Sequence, residues 1–412
     1  MSRGRVVSSL GVALLFVGCR FPELPVIGED ASDGPADGAA IDTPPLGDAT
    51  DAPIDAVDAR PVRTGPLVTN NQAADLVIGQ PSFGTNTDRG VTAQSFQPDG
   101  IAFASGRLWA TDYFRHRVLG WNAPTASDPA AAYALGQTSF TNGTATNATA
   151  SSMFQPTGVA ASGSTVITVD SYNRALVWTA LPTGLGQNAN LVLGQPDFSS
   201  TAVGTGPTGL RVPLSAWTDG TRVIIRGGFG TMRMWLWNSF PAANAAPSDL
   251  QLLGGVNTNA TEFTPGLGVF VDGNRLVISD SPKNRVMLWN AVPVASGTPA
   301  DVVVGQATFT TDASGAGAAG LNGPQAAIII DGALVVADGA NDRVLFYDPM
   351  PTASGASASY VLGQTSATTT VLDQAPSDRT LNNPIGLAFD GRHLYVSDHD
   401  NRRILRYTLN LP

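Results

Sequence analysis

The sequence predicts an all-β protein: a six-bladed β-propeller of four-stranded blades, preceded by an export signal and a disordered tether. Three observations carry this. A phrase built on Gly-Gln recurs at "LVIGQPSF", "YALGQTSF", "LVLGQPDF", "VVVGQATF" and "YVLGQTSA", with a worn copy at "LQLLGGVN". Successive copies, counted from Gly79 to Gly363, are 57, 58, 60, 51 and 58 residues apart. Each interval holds four short β-branched or aromatic runs bounded by turn residues, which read as four strands per repeat.

The elements follow in order. "MSRGR" and the apolar "VVSSLGVALLFVG" read as a secretory signal over 1–18, too short to span a bilayer. The segment 19–63 is rich in Asp, Ala, Pro and Gly, with ten acidic residues against two Arg between Arg20 and Arg60. It has too little apolar surface to offset ordering entropy, so it is expected to be a disordered acidic linker. The folded domain is expected over 64–412. Each repeat there opens on a Pro-led apolar run ("QPDGIAF", "NPIGLAF") and continues with a run ending in Asp ("RLWATD", "HLYVSD"). A run opening on Arg ("RVLGWN", "RILRYT") and the Gly-Gln run complete it. One Gly-Gln run precedes the first full set and none follows the last. Residues 74–80 are therefore expected to complete the sixth blade by pairing with 403–409, leaving no orphan strand edges.

Net charge is −10, much of it in the linker, which argues against nucleic-acid binding. The single cysteine, Cys19, rules out an intramolecular disulfide and a cysteine-based zinc site.

Two resemblances extend this reading. "LFVGC" resembles the bacterial lipoprotein box, with Phe16 a departure. The resemblance implies cleavage before Cys19, lipidation of Cys19, contact with the membrane through the lipid anchor only, and an exported, cell-envelope location. Arg20 in place of the Asp that signals inner-membrane retention favours the outer membrane, periplasmic or surface-facing. The runs "RLWATDYFRHRVLGW", "RLVISDSPKNRVMLW", "ALVVADGANDRVLFY" and "HLYVSDHDNRRILRY", with Pro-x-Gly upstream, resemble NHL repeats over roughly 70–412. Such propellers bind proteins, RNA or small molecules on their end faces, and a few are zinc or calcium enzymes. The third repeat departs most, with Gly227 and Gly228 where Asp is expected and Gly254-Gly255 in place of Gly-Gln.

Asp112, Asp170, Asp280, Asp338 and Asp398 end the second strand of five blades, and Arg117, Arg174, Arg285, Arg343 and Arg403 follow four or five positions later. They read either as an acidic ring on one face or as a structural pair in each blade; identical spacing in every copy favours the pair. Phe83, Phe140, Phe198 and Phe309 read as packing residues. In a propeller the fourth-to-first and second-to-third connections share one face. The connections 81–97, 138–155, 196–212, 307–323 and 365–383 build it, and the candidate binding residues there are the five aspartates with Tyr113, Arg115, His116, Tyr172, Phe229 and His399. "GTGPTG" (204–209) and "GAGAAG" (315–320) match the dinucleotide fingerprint by letter only, since no helix follows them.

Metal chemistry is poorly supplied: the histidines are His116, His393 and His399, the only Glu of the propeller is Glu262, and the only lysine is Lys283. No catalytic residue, metal or cofactor is therefore expected. The first functional reading is a monomeric, surface-tethered, non-enzymatic module that binds an extracellular or envelope protein, peptide or glycan. The alternative is a metal-dependent lyase or hydrolase with its site on the propeller axis.

Overall fold

The computed structural model describes residues 63–228 and 232–412. The expected signal peptide, the lipidation residue Cys19, the acidic linker up to 62 and Phe229 lie outside them. The described chain forms six four-stranded antiparallel sheets. The first strand, β1 (Leu76–Ile78), belongs to the last of them. Blade one is β2 (Pro98–Ala104), β3 (Arg107–Asp112), β4 (Arg117–Asn122) and β5 (Tyr133–Leu135); blade two is β6 (Gly158–Ser162), β7 (Thr165–Asp170), β8 (Arg174–Trp178) and β9 (Leu191–Leu193). Blade three is β10 (Pro213–Thr218), β11 (Val223–Gly227), β12 (Arg233–Trp237) and β13 (Leu250–Leu253); blade four is β14 (Val269–Asp272), β15 (Arg275–Asp280), β16 (Arg285–Trp289) and β17 (Val302–Val304). Blade five is β18 (Pro324–Ile330), β19 (Ala333–Asp338), β20 (Arg343–Tyr347) and β21 (Tyr360–Leu362); blade six is β22 (Pro384–Phe389), β23 (His393–Asp398), β24 (Arg403–Thr408) and β1. The Pro-led strands touch one another in sequence around the axis, β22 to β2, β6, β10, β14, β18 and back, so the ring is closed.

Closure runs through β1, as the repeat arithmetic predicts. Leu76 pairs with Arg406, Val77 with Leu405 and Ile78 with Ile404. Closure extends further than one strand. Each blade's outer edge presents unpaired backbone groups, a site for unwanted strand addition. In blades two, four and six the next blade's third-to-fourth connection covers them. The Val77 N–H donates to Ser127 Oγ (3.3 Å) and its carbonyl accepts from Asp128 N (2.7 Å). Asn244 and Ala245 do the same for Val192, and Ser354 and Gly355 for Val303. For blade five the cover is Asn70 and Asn71, just ahead of β1, which hold both groups of Val361. The segment before β1 thus stands in for a third-to-fourth connection as well as leading into a strand.

The core lies between blades. Alternating strand residues face the two neighbouring blades, giving six buried clusters; one of them joins Val277, Leu288 and Val304 of blade four to Leu334, Val336 and Leu345 of blade five. At roughly 1.5–3 kcal/mol per buried aliphatic side chain, these inter-blade layers supply the main driving force for ring formation.

Candidate functional site

Nearly every residue that repeats from blade to blade has a structural task. The five Asp–Arg pairs are fully buried, with Nε–carboxylate distances of 2.8 Å for Arg117–Asp112, 3.1 Å for Arg174–Asp170 and 2.8 Å for Arg343–Asp338. The rest of each guanidinium donates to backbone carbonyls of the two long connections flanking its blade. Arg343 bonds the carbonyls of Ala316, Gly317 and Gly320 on one side (2.7, 3.1 and 3.0 Å) and Ala367 on the other (2.9 Å). Arg117, Arg174 and Arg285 reach the carbonyls of Phe140, Phe198 and Phe309 in the same way, and Arg403 that of Phe83. Those four phenylalanine rings pack against the core clusters. Burial pushes the Asp170 and Asp338 carboxyls up to about 6, against the pull of Arg174 and Arg343.

The Gly-Gln phrase is a second staple. Its glycine adopts a positive φ, 86° at both Gly194 and Gly363, where a side chain would also meet Leu210 or Leu381. Its glutamine donates to the residue just before the next-to-last strand and to a carbonyl seven residues onward. Gln306 bonds the carbonyls of Asn284 (2.9 Å) and Ala313 (2.8 Å), and Gln364 those of Asp342 (3.3 Å) and Val371 (3.0 Å). The tryptophans at the ends of β8, β12 and β16, and Trp121 one residue before the end of β4, pin the third-to-fourth connections: Trp121 Nε1 donates to the Pro129 carbonyl (3.1 Å) and Trp178 Nε1 to that of Gln187 (3.0 Å). "GAGAAG" is likewise structural, because its carbonyls fill the Arg343 cage and Gly315 and Gly320 touch backbone to backbone.

Asp112, Asp170, Asp280, Asp338 and Asp398 must accordingly leave the candidate binding face. Each has a side-chain exposure of 1% or less and is saturated by its own Arg and by backbone N–H groups. Tyr113 is also buried, at 6% exposure, so it is core at the foot of its loop. In blade three the register corrects the sequence reading. Arg233 pairs with Leu253 as Arg174 would pair with the residue after Leu193, so Leu253 occupies the glycine position and Gly254 the glutamine position. Gly227 faces Arg233 where the other blades place Asp. Released from a cage, Arg233 turns to Gln251 Oε1 (2.7 Å) and the Thr205 carbonyl. Arg226, fully buried, instead reaches the blade-four side and bonds the carbonyls of Gly268 (2.7 Å), Ser279 (2.8 Å) and Thr264. Burial lowers its pKa to about 10.

Three groups that do not repeat lie on the face built by the long connections. At the seam of blades six and one, His399 sits between Asp400 (Nδ1–Oδ1 2.7 Å) and Asp99 (Nε2–Oδ1 3.3 Å), with Gln97 beside Nδ1. Burial opposes the imidazolium, but the two carboxylates outweigh it and raise its pKa to about 9. Burial in turn holds the Asp99 carboxyl above the usual range, with His399 pulling it back.

Next to it, the loop Tyr113–Arg115 lifts Phe114 into solvent at 64% exposure. Arg115 holds that loop by bonding Asp88 Oδ1 (2.6 Å) and the Ser95 carbonyl (2.8 Å).

At the seam of blades one and two, His116, Phe154 and Tyr172 form a file of rings, with centroids 5.0 and 5.3 Å apart. His116 Nδ1 accepts the Gln155 N–H (3.1 Å), and burial lowers its pKa. The same latch recurs elsewhere with a different residue. Asn173 Oδ1 takes the Val212 N–H, Asn284 Oδ1 that of Gly323 and Asp342 Oδ1 that of Asn383. The two histidines thus belong to separate clusters. Asp99, Phe114 and Phe154 escaped the sequence reading. The Pro-x-Gly alignment, in which Asp99 is the one carboxylate at x, was the available signal.

The axis is lined by all six inner strands around a cavity of about 300 Å³. Its side chains are apolar apart from Thr157, Ser215 and Thr218. Among the described residues no group of three or more His, Cys, Asp or Glu is placed to hold a metal ion, and the axial wall offers no carboxylate, imidazole or thiol.

No family model matches the chain, and no curated protein matches it. Among solved structures, a chain of a nidogen/laminin complex is similar with a TM-score of 0.38 and 15% identity, over 64% of this chain and 83% of that one. A likeness of that strength carries no argument, and the fold rests on the six sheets themselves.

Proposed function

We propose that this NHL-like propeller is a binding module of the cell envelope, exported and lipidated at Cys19, that engages an extracellular or envelope protein, peptide or glycan through the face of the long connections. The observation that carries the reading is the distribution of exposed apolar side chains. Phe114, Val203, Val256, Val371 and Leu372 ride on that face's connections, with exposures from 52% to 66%, and Leu253 ends the strand leading onto it. Isolated exposed apolar residues are ordinary; their concentration on one face, over loops held rigid by Arg and Gln staples, is what a protein or peptide partner fits. Among the described residues, the exposed large apolar side chains of the opposite face are Leu185 and Val294.

A second feature agrees with this. Arg63 is held by Asp331 (3.0 Å) and Asp348 (2.8 Å), both on the opposite face, so the described chain enters the disc from that side. The axial wall's lack of ligating side chains gives the metal-enzyme alternative no supporting observation.

The test is capture from envelope extracts by the full chain and by two variants. Phe114→Ser/Val371→Ser/Leu372→Ser is expected to lose the captured partner, and Val294→Ser to retain it. Equal capture by all three would sink the reading. Loss of lipid labelling in Cys19→Ala tests the anchor separately.

A further inference from the structure

We propose that the axial cavity is a second, independent binding site, for a small neutral molecule with an apolar body and a few hydrogen-bonding groups, and that it fills from the face opposite the long connections. The volume, about 300 Å³, is at the lower end of small-molecule pockets. Three properties of the wall define the ligand.

The wall holds no ionisable side chain, so a charged ligand would lose its hydration without gaining a counter-ion. The aromatic side chains Phe103, Trp217, Phe270 and Phe389 line it from four different blades. The hydroxyls of Thr157 and Thr218 already donate to the carbonyls of Pro213 (3.2 Å) and Arg222 (2.7 Å). Each inner strand is also the terminal strand of its sheet, so its free edge presents backbone N–H and C=O groups to the axis. The ligand therefore needs a few neutral donors or acceptors beside its apolar body.

The direction of entry comes from the Pro-x-Gly glycines. A methyl on Gly100 would lie 3.0 Å from the Thr157 carbonyl, one on Gly158 2.8 Å from Ser215 Cα, and one on Gly386 2.6 Å from the Asp99 carbonyl. A methyl on Gly268 would likewise lie 2.7 Å from the Gln325 carbonyl. Adjacent inner strands thus meet backbone to backbone at the end nearest the long connections. This close packing between blades leaves the other end of the channel as the entry we assign. The aromatic residues lie toward the other end of their strands, where the channel admits a ligand.

The experiment is a fluorescence titration of the full chain with N-phenyl-1-naphthylamine, a neutral aromatic amine. Saturable binding at one site per chain is expected. Ala161→Phe, which adds a ring to the half-buried wall of blade two, is expected to weaken it at least tenfold, and Ala326→Leu on blade five carries the same test if the first variant does not fold. Phe114→Ser, on the partner face, is expected to leave it unchanged. Absence of saturable binding to the wild-type chain overturns the proposal, and so does affinity unaltered in a folded plug variant. Either failure leaves the partner-face reading standing.

Discussion

Replacing Arg343 by Met removes one cage outright. The guanidinium donates five hydrogen bonds, to Asp338 Oδ2 (2.8 Å) and to the carbonyls of Ala316, Ala367, Gly317 and Gly320. Asp338 would remain fully buried without a counter-ion, and breaking a buried pair from one side costs about 3–5 kcal/mol. The abandoned carbonyls add roughly 0.5–1.5 kcal/mol each, less whatever entering water restores on the loop side. A loss of at least about 4 kcal/mol is expected, read as a lowered midpoint in urea unfolding of the full chain. Asp338→Leu added to Arg343→Met should recover part of it, because the stranded charge is gone. Arg233→Met in blade three, where Gly227 stands in the aspartate's place, should cost about 1 kcal/mol or less. If Arg343→Met were no worse than Arg233→Met, the cages would not be what holds the long connections.

Three further outcomes follow from the same geometry. Burial lowers the pKa of His116, whose Nδ1 accepts the Gln155 N–H in the native state, so stability is fully present above the ordinary imidazole value of about 6.5 and falls as pH drops below it. His116→Asn, which installs the residue used at the Asn173 and Asn284 latches, should match wild type near pH 7.5 and exceed it increasingly toward pH 5; parallel pH profiles would remove the latch argument. Deleting 63–80 strips β1 from β24 and uncovers Val361, and should abolish the cooperative calorimetric transition, whereas deleting 24–60 should leave it in place. Gln364→Ala loses two donated bonds and the one it accepts from Val371 N (3.0 Å), a cost of about 1–3 kcal/mol, with faster amide exchange over 365–372.

The fold was legible because its staples demand particular residues. A buried cage needs Arg with a carboxylate four or five positions before it, and the turn after five of the six outer strands takes Gly at positive φ followed by an amide that donates twice. Such constraints repeat with the blades, so repetition marked the structural residues and strand count marked the closure. Burial was not legible: Asp338 on a rim and Asp338 in a cage have the same letters around them. The worn third repeat hid its register, since one added residue moves Leu253 into the glycine's place without changing the look of "LQLLGG". Asp99 and His399 meet only because the ring closes, a juxtaposition across 300 positions that no local pattern carries. The axial wall was hidden for another reason: inner strands are apolar whether their side chains face a neighbouring blade or the channel.

On the proposed function, the stapled face, and not its opposite, meets the partner. A photo-crosslinking amino acid placed at position 114 and, separately, at position 294 of the full chain tests it in intact cells. Both side chains are exposed, at 64% and 86%, so access to solvent does not distinguish them. A discrete adduct is expected from position 114 and none from position 294. An adduct from position 294 alone, or the same adducts from both, would contradict it.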